Sequence, residues 1–212
     1  MTQNPITSTG PVVTLFETYG SGAEQVGQKV AEALGVAFLT QLFSSTQLEA
    51  AEAAQPAEAD GSFLRFFKMF GQENTDHLDN ILIPSDQIDD HKRVMDNNRT
   101  LINATAAGGV VLGRNATVVL ADNPKALHVK LDGPVETRVA RAAAAAGIDL
   151  ERAARRQVHE DEVRAAMSIK LYNWDPRAND RYDLVINTSR LDIDAVANII
   201  VSACRAKAAN AR

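Results

Sequence analysis

The chain has 212 residues, of which 45% are hydrophobic and 23% are charged, and its formal net charge is −5. This balance excludes wholesale disorder and a globally basic surface that would recruit nucleic acid or anionic membrane. The single cysteine and four histidines without ligand spacing exclude a disulfide framework and an internal thiolate metal site, so we expect no metal centre.

Neither targeting nor membrane insertion is predicted. No apolar run approaches the ~20 residues of a membrane-spanning helix. Residues 1–10 lack a basic region followed by an apolar run, which predicts a short disordered lead and no signal peptide. We therefore expect a cytoplasmic protein.

Strand-like and helix-like segments alternate at the start of the chain. Residues 12–16 are rich in β-branched side chains and predict a strand. Residues 23–34 place apolar side chains on one helical face and end before Gly35, a favoured helix terminator. Residues 36–39 predict a second strand. This order is typical of a parallel sheet covered by helices.

The segment 40–100 differs in character. Residues 63–70 contain four of the seven phenylalanines of the chain. A helix that packs these rings into the core is the favoured interpretation, because most aromatic residues are core residues. The alternative is an interaction surface, through which the region 60–100 would form a homodimer. A long helix is then predicted over residues 88–106.

The alternation resumes after residue 108. Strands are predicted over 109–113, 126–131 and 183–187, and helices over 135–146, 149–167 and 193–209. Gly147 ends the first of these helices, and Asp149 is the expected N-cap of the second. Five strands alternating with helices predict a doubly wound α/β sheet, in which ligands bind beyond the carboxyl ends of the strands. Residues 17–23, 113–116 and 132–141 are therefore the candidate site segments.

The segment 17–24, here called the glycine loop, joins the first strand to the first helix. Its glycines and the helix N-terminus supply backbone N–H groups that suit a phosphate. A strict phosphate-loop motif would have glycine at Glu17, lysine at Ala23 and serine or threonine at Glu24. The segment is therefore either a degenerate Walker A loop or a tight structural turn, and its glutamates oppose an anion. The candidate phosphate-binding residues are Tyr19, Gly20, Ser21, Gly22 and Ala23.

Arginines follow the later strands. Arg114 comes directly after a buried strand, and Arg138 and Arg141 lie three residues apart on one helix face. Guanidinium groups suit phosphate geometry, although arginines on helices are equally well explained as a solvated surface paired with carboxylates. For Arg114 we favour a functional role. Asp132, at the end of a strand, either accepts a ribose hydroxyl or orients an arginine, or else caps the next helix.

Several of these segments resemble one family. YGSG, GRNATVVL, HEDEVRAAM and YDLVINTSRL are similar to segments of the cytidylate kinase-like family, a branch of the P-loop nucleoside monophosphate kinases. The resemblance covers residues 11–39 and 101–203. It implies a three-layer α/β P-loop kinase-like fold, with a five-stranded parallel sheet flanked by helices. The domain would span 11–205, with a helical insert over 40–100, a helical lid over 147–180 and a tail over 206–212.

The resemblance also implies an activity and roles for individual residues. ATP, with Mg²⁺, would donate a phosphoryl group to CMP, dCMP or a related small acceptor. Arg114 would lie at the substrate phosphate, Asp132 near the nucleoside, and Asp161 in a substrate-binding pair of the lid. The arginines implied in catalysis are Arg138, Arg141 and Arg164.

The chain departs from the family pattern at three positions. Gln157 and Asn115 replace an arginine and an aspartate, and Glu24 replaces the arginine that substitutes for lysine in this branch. Two functional hypotheses therefore remain. The protein is either a kinase acting on a nucleotide or small molecule, or a catalytically inactive kinase-fold protein that serves as a nucleotide- or protein-binding regulatory module.

Overall fold

The computed structural model of the chain describes residues 8–40 and 85–211. The phenylalanine-rich stretch 63–70 and most of the predicted insert and dimer surface lie outside these ranges. The strands are β1 (Val12–Glu17), β2 (Phe38–Leu39), β3 (Gly109–Leu112), β4 (Ala126–Asp132) and β5 (Leu184–Asn187). The helices are α1 (Ala23–Leu34), α2 (Ser85–Ala104), α3 (Ala116–Val119), α4 (Val135–Ala146), α5 (Leu150–Tyr172) and α6 (Ile193–Asn210).

The strands form one parallel sheet in the order β2-β3-β1-β4-β5. β1 is central, and Val13 lies opposite Val110 on one side and Leu127 on the other. The α/β class and the five-stranded parallel sheet flanked by helices are thus confirmed. β3 and β4 flank β1 on its two sides, so the strand order reverses at β1. The glycine loop, which follows β1, therefore lies at the topological switch point of the carboxyl edge of the sheet.

Side chains of β1 alternate between the two faces of the sheet, as the strand period requires. Val13 and Leu15 pack into the larger core with residues of α1 and α6, whereas Val12 packs with Leu101 and Leu120 on the opposite face. All five of these side chains are at most 1% exposed. The two cores fix both faces of β1 and thereby the position from which the glycine loop starts.

Helix boundaries follow the local end signals. Gly35 and Gly147 terminate α1 and α4 in the left-handed conformation, with φ of 67° and 64°. The Asp149 side chain caps α5 by accepting a hydrogen bond from the Arg152 N–H at 2.7 Å. α5 runs five residues beyond its predicted end and stops at Asn173, also left-handed. The four-residue helix α3 was not predicted.

The start of the described chain is tied to the domain. Ser8 is 4% exposed, and the Thr9 N–H donates to the Ala106 carbonyl oxygen at 2.8 Å. Residues 8 and 9 of the predicted lead thus contact the domain, and residues 1–7 lie outside the described ranges. Within the described ranges, none of the helices combines the length and apolar character that crossing a membrane requires.

Candidate functional site

The glycine loop turns sharply between β1 and α1. Gly20 and Gly22 have φ of 76° and 81°, a conformation that residues with a Cβ rarely adopt. A Cβ built on Gly20 would lie 2.2 Å from the carbonyl oxygen of Arg138. Only glycine therefore fits at position 20, and the loop lies in close contact with α4.

Two carbonyl groups of the glycine loop are bound by arginines of α4. Arg138 Nη1 donates to the Tyr19 oxygen at 2.7 Å, and Arg141 Nη1 donates to the Gly20 oxygen at 3.1 Å. Arg138 is only 4% exposed and also donates from Nε to the Gly133 oxygen at 2.9 Å. The conformation of the loop is thus held by α4.

The N–H groups at the start of α1 are in a different situation. Among the described residues, no acceptor is found for the N–H groups of Gly22, Ala23 and Glu24, and α1 has no side-chain cap. The buried hydroxyl of Ser21 likewise has no partner in the described part of the chain. Unpaired amides at a helix N-terminus are the groups that bind phosphate in loops of this kind.

The loop itself supplies no cation. Ala23, at the position of the motif lysine, is 0% exposed and belongs to the core that contains Val13 and Val26. Glu24 is exposed, whereas Glu17 is partly buried. Among the described residues, arginines of α4 and α5 bring positive charge to this edge of the sheet.

Helix α5 lies within the predicted lid region 147–180 and is here called the lid helix. It contacts the glycine loop through Asp161. Its Oδ1 accepts a hydrogen bond from the Tyr19 N–H at 2.7 Å. Its Oδ2 accepts from Arg138 Nη1 at 3.1 Å and from Gln157 Nε2 at 2.8 Å. Asp161 was expected to bind substrate, and in this structure its carboxylate binds the loop and the arginine that holds the loop.

Arg164 lies one turn further along the lid helix, in a group of carboxylates. Its Nη2 is 2.7 Å from Glu160 Oε2 and 3.4 Å from Glu17 Oε1. Burial lowers the pKa of the Arg164 guanidinium, but Glu17, Glu160 and Asp161 outweigh this effect and raise the pKa overall. Arg164 therefore remains charged and is engaged with protein carboxylates.

Arg141 lies on the opposite side of the loop. It donates from Nη1 to Thr188 Oγ1 at 2.9 Å and from Nη2 to the Thr188 oxygen at 2.7 Å. A Cβ built on Gly22 would be 3.7 Å from Arg141 Nη1, so the guanidinium lies directly beside the loop. Burial lowers the pKa of Arg141 from its ordinary value.

Asp132 also contacts the glycine loop. Its Oδ1 accepts from Thr18 Oγ1 at 2.9 Å and from the Gly133 N–H at 2.8 Å, and Arg138 Nε is 3.6 Å away. The N-cap residue of α4 is Pro134, and its helix start has no side-chain cap. Asp132 thus connects the ends of β1 and β4 and does not cap the helix.

Arg114 lies apart from this cluster, at the end of β3. Arg114 and Asn115 are both left-handed, with φ of 57° and 55°. Arg114 Nε donates to the Thr40 oxygen at 2.8 Å, while its own carbonyl oxygen accepts from Asn97 Nδ2 at 3.0 Å. Burial lowers the pKa of Arg114. The structure therefore gathers Asp132, Arg138, Arg141, Asp161 and Arg164 around the loop and places Arg114 beside α2.

Sequence reasoning did not identify every residue of this cluster. Thr188 follows the last strand, so the rule of strand carboxyl ends was sufficient to find it. Glu160 is 1% exposed and binds Arg164, and no local pattern distinguishes it from a surface glutamate. In residues 8–40 and 85–211, no group of three potential metal ligands is found.

Known proteins share sequence with much of the chain. A model of the cytidylate kinase-like family matches residues 12–190. A cytidylate kinase of Methanopyrus kandleri is 28% identical over 201 residues, 91% of this chain and 92% of that protein. A uronate isomerase of Corynebacterium glutamicum is 32% identical over 143 residues. That match covers 68% of this chain, which spans only 27% of the isomerase's length.

The fold is also found among solved structures. An uncharacterized protein from Eubacterium ventriosum has a TM-score of 0.61 at 18% identity, with 92% of this chain and 98% of that chain covered. At this identity the likeness concerns the fold alone.

Proposed function

The chain belongs to the cytidylate kinase-like family, whose model matches most of its length, and on that basis we propose that it is a nucleotide-binding phosphotransferase. It binds the phosphates of ATP at the glycine loop and transfers a phosphoryl group to CMP, dCMP or a related small acceptor. One observation carries the proposal. The loop carbonyls of Tyr19 and Gly20 are bound by α4, whereas the N–H groups of residues 22–24 have no acceptor among the described residues.

This arrangement suits an anion without a lysine. The N-terminus of α1 carries a partial positive charge, and its free N–H groups can donate to phosphate oxygens. Arg138 is buried and bound to the loop, so we assign it a positioning role in place of the catalytic role first expected. Arg141, beside Gly22, neutralises the negative charge of the phosphates bound at the loop. Arg164 adds to this neutralisation when its guanidinium contacts the substrate.

The implied cofactors are compatible with the residues present. ATP supplies the phosphoryl group, and Mg²⁺ offsets charge on the phosphates. Mg²⁺ is usually held by one or two carboxylates together with substrate phosphates, so a three-ligand protein cage is not required. Asp132, whose side chain is 37% exposed, is the carboxylate of the loop cluster that we assign to this role.

Arg114 is the residue that we assign to the acceptor phosphate. Its position at the end of β3 separates it from the glycine loop and places it beside α2, which leads out of the insert region. Because one relative is a uronate isomerase, sugar acids of that class belong in the panel of acceptors.

A second function is favoured by a specific observation. Ala23 fills the lysine position with a buried methyl group, and the Asp161 carboxylate is bound to the Tyr19 N–H. Loss of one electrostatic contact to a transition state costs on the order of 3 kcal/mol. A protein with this loop could bind nucleotide or a protein partner and serve as a regulatory module without turnover.

Separate calorimetric titrations with ATP·Mg²⁺ and CMP, followed by an ADP-release assay, test these functions. The assay panel contains nucleoside monophosphates and uronates. Saturable ATP binding with acceptor-dependent ADP release supports the kinase. ATP binding without release for any acceptor supports the regulatory module. Absence of ATP binding at millimolar concentration contradicts phosphate binding at the glycine loop.

A further inference from the structure

Glu17 is the most unusual residue of the glycine loop, because a strict motif has glycine there. Its backbone belongs to β1 and lies opposite Leu131 of β4, so its position is fixed by the sheet. Its side chain is 15% exposed, and Oε1 lies 3.4 Å from Arg164 Nη2. The carboxylate is therefore directed at the lid helix.

Arg164 is bound by two glutamates, Glu17 of β1 and Glu160 of the lid helix. Its Nη2 is also 2.7 Å from Glu160 Oε2, within the same helix, and the Arg164 side chain is 14% exposed. Loss of one partner weakens the position of a buried ion more than the loss of an exposed ion pair does, because water screens the buried ion less. Since Glu160 and Arg164 share one helix, Glu17 is the member of this group that connects the lid helix to the sheet.

We propose that Glu17 is a positioning residue for the lid, which holds Arg164, and with it the lid helix, against the glycine loop. The charge of Glu17 is thereby offset by the Arg164 guanidinium of the lid helix. Glu24, on the other side of the glycines, is exposed, and we assign it no role in holding the lid helix. The inference rests on the proposed function only in assigning α5 the role of a lid.

Trp174 provides a reporter of lid docking. It is the only tryptophan of the chain and follows Asn173, the C-cap of the lid helix. Its ring is 6.4 Å from that of Phe16 at the end of β1 and 5.8 Å from that of Tyr182. Trp174 is 6% exposed, so release of the lid helix would bring the indole into water and shift its emission to longer wavelength.

The test compares Glu17→Gln with Glu24→Gln in the full chain without nucleotide. Both variants remove one negative charge beside the glycines, but only the first removes a partner of Arg164. We expect Glu17→Gln to shift Trp174 emission to the red and to raise amide hydrogen exchange in residues 157–172 by about tenfold. Exchange in β1 and β4 should stay unchanged, and Glu24→Gln should resemble the natural protein.

Two outcomes overturn the proposal. In one, Glu17→Gln changes neither emission nor exchange in the lid helix. In the other, it tightens ATP binding while the lid stays docked, which would mean that Glu17 acts by repelling phosphate. If Glu17→Gln unfolds the whole domain, Glu17→Asp replaces it, because aspartate keeps the charge but is one methylene shorter. Glu17→Asp must then loosen the lid helix with the sheet intact.

Calorimetric titration of both variants with ATP·Mg²⁺, added to this experiment, separates the inference from the proposed function. A lid that responds as expected in a protein without ATP binding leaves the inference intact and contradicts the nucleotide proposal. If ATP binds and the lid helix does not respond to Glu17→Gln, the nucleotide proposal stands and this inference is contradicted.

Discussion

The Asp161 carboxylate of the lid helix accepts a hydrogen bond from the backbone N–H of Tyr19, with 2.7 Å between the nitrogen and Oδ1. A carboxylate on a loop amide, bound at the same time by an arginine, resembles the environment of a phosphate oxygen. Asp161 thus places a negative charge at the edge of the proposed phosphate site.

Replacing Asp161 by asparagine should therefore tighten ATP binding. The amide oxygen can still accept from the Tyr19 N–H, while removal of the charge relieves about 1 kcal/mol of repulsion, or about fivefold in affinity. Calorimetry at low and high salt measures the gain, which should shrink as salt increases. Glu162→Gln, an exposed neighbour on the same helix, is the control. Unchanged or weaker ATP binding would contradict the prediction, and weaker CMP binding would support the substrate role expected for Asp161.

Arg138→Ala should destabilise the protein by about 3 kcal/mol, because the variant leaves the carbonyls of Tyr19 and Gly133 without this donor and removes one donor to the partly buried Asp161 carboxylate. Arg138→Lys should recover only part of this loss, since an ammonium cannot reproduce the planar fork. Urea unfolding measures both changes. Arg155→Ala removes a surface pair with Glu151, where the arginine is 65% exposed, and should change stability by less than about 1 kcal/mol. Equal effects of Arg138→Ala and Arg155→Ala would refute a structural role for Arg138.

Two glycines with the same backbone conformation should respond differently to alanine. Gly35 has φ of 67° and nothing within 4 Å of a built Cβ, so Gly35→Ala should cost only the backbone strain of about 1–2 kcal/mol. Gly20→Ala adds a contact of 2.2 Å with the Arg138 oxygen, which only a shift of the loop or of α4 can relieve. We expect Gly20→Ala alone to abolish ATP binding in calorimetry, with the stability of each variant measured in parallel. Retained affinity in Gly20→Ala would show that the close approach is dispensable.

Stability should fall on acidification because of His128 in β4. Its Nδ1 lies 2.8 Å from Thr14 Oγ1, and burial lowers the pKa of His128 to about 4, an effect that Asp183 opposes and Lys207 reinforces. The neutral ring is favoured in the folded state, so this contribution is complete above the unfolded pKa of about 6.5 and is lost as pH falls towards 4. The loss amounts to about 3 kcal/mol over that range.

Urea unfolding at several pH values between 4 and 7.5 checks the dependence on His128. His128→Asn cannot acquire the charge and should therefore give a flatter pH profile than the natural protein. A profile for His128→Asn as steep as that of the natural protein would assign the acid sensitivity to other groups.

Much of the fold could be predicted from sequence because the signals that end or begin its helices are local. Gly35, Gly147 and Asp149 mark helix ends through their own conformational and hydrogen-bonding preferences, and the structure uses them as predicted. The short helix α3 has four residues, too few to show a helical period. The end of α5 was misplaced because Asn173 is a weaker terminator than glycine.

The sequence predicted where the candidate site lies but not what each of its side chains binds. The rule of strand ends predicted that residues after β1, β3 and β4 would lie at one edge of the sheet, and they do. Which arginine binds substrate and which binds the protein depends on side-chain packing between distant elements. Arg138 and Arg141 look alike in sequence, yet one is 4% exposed and holds Tyr19 and Asp161, whereas the other lies beside Gly22 and Thr188.

The central place of β1 has a consequence for synthesis of the chain. β1 and β2 do not pair with each other, because β3 lies between them. Val12 pairs with Gly109 of β3 on one side and with Ala126 of β4 on the other, so β1 cannot pair before these residues are synthesised. A nascent chain that ends before residue 109 therefore carries β1 with both hydrogen-bonding edges open, a state prone to aggregation and slow to resolve. Pairing of β1 within this sheet therefore begins only after residues 109–112 of β3 have been synthesised.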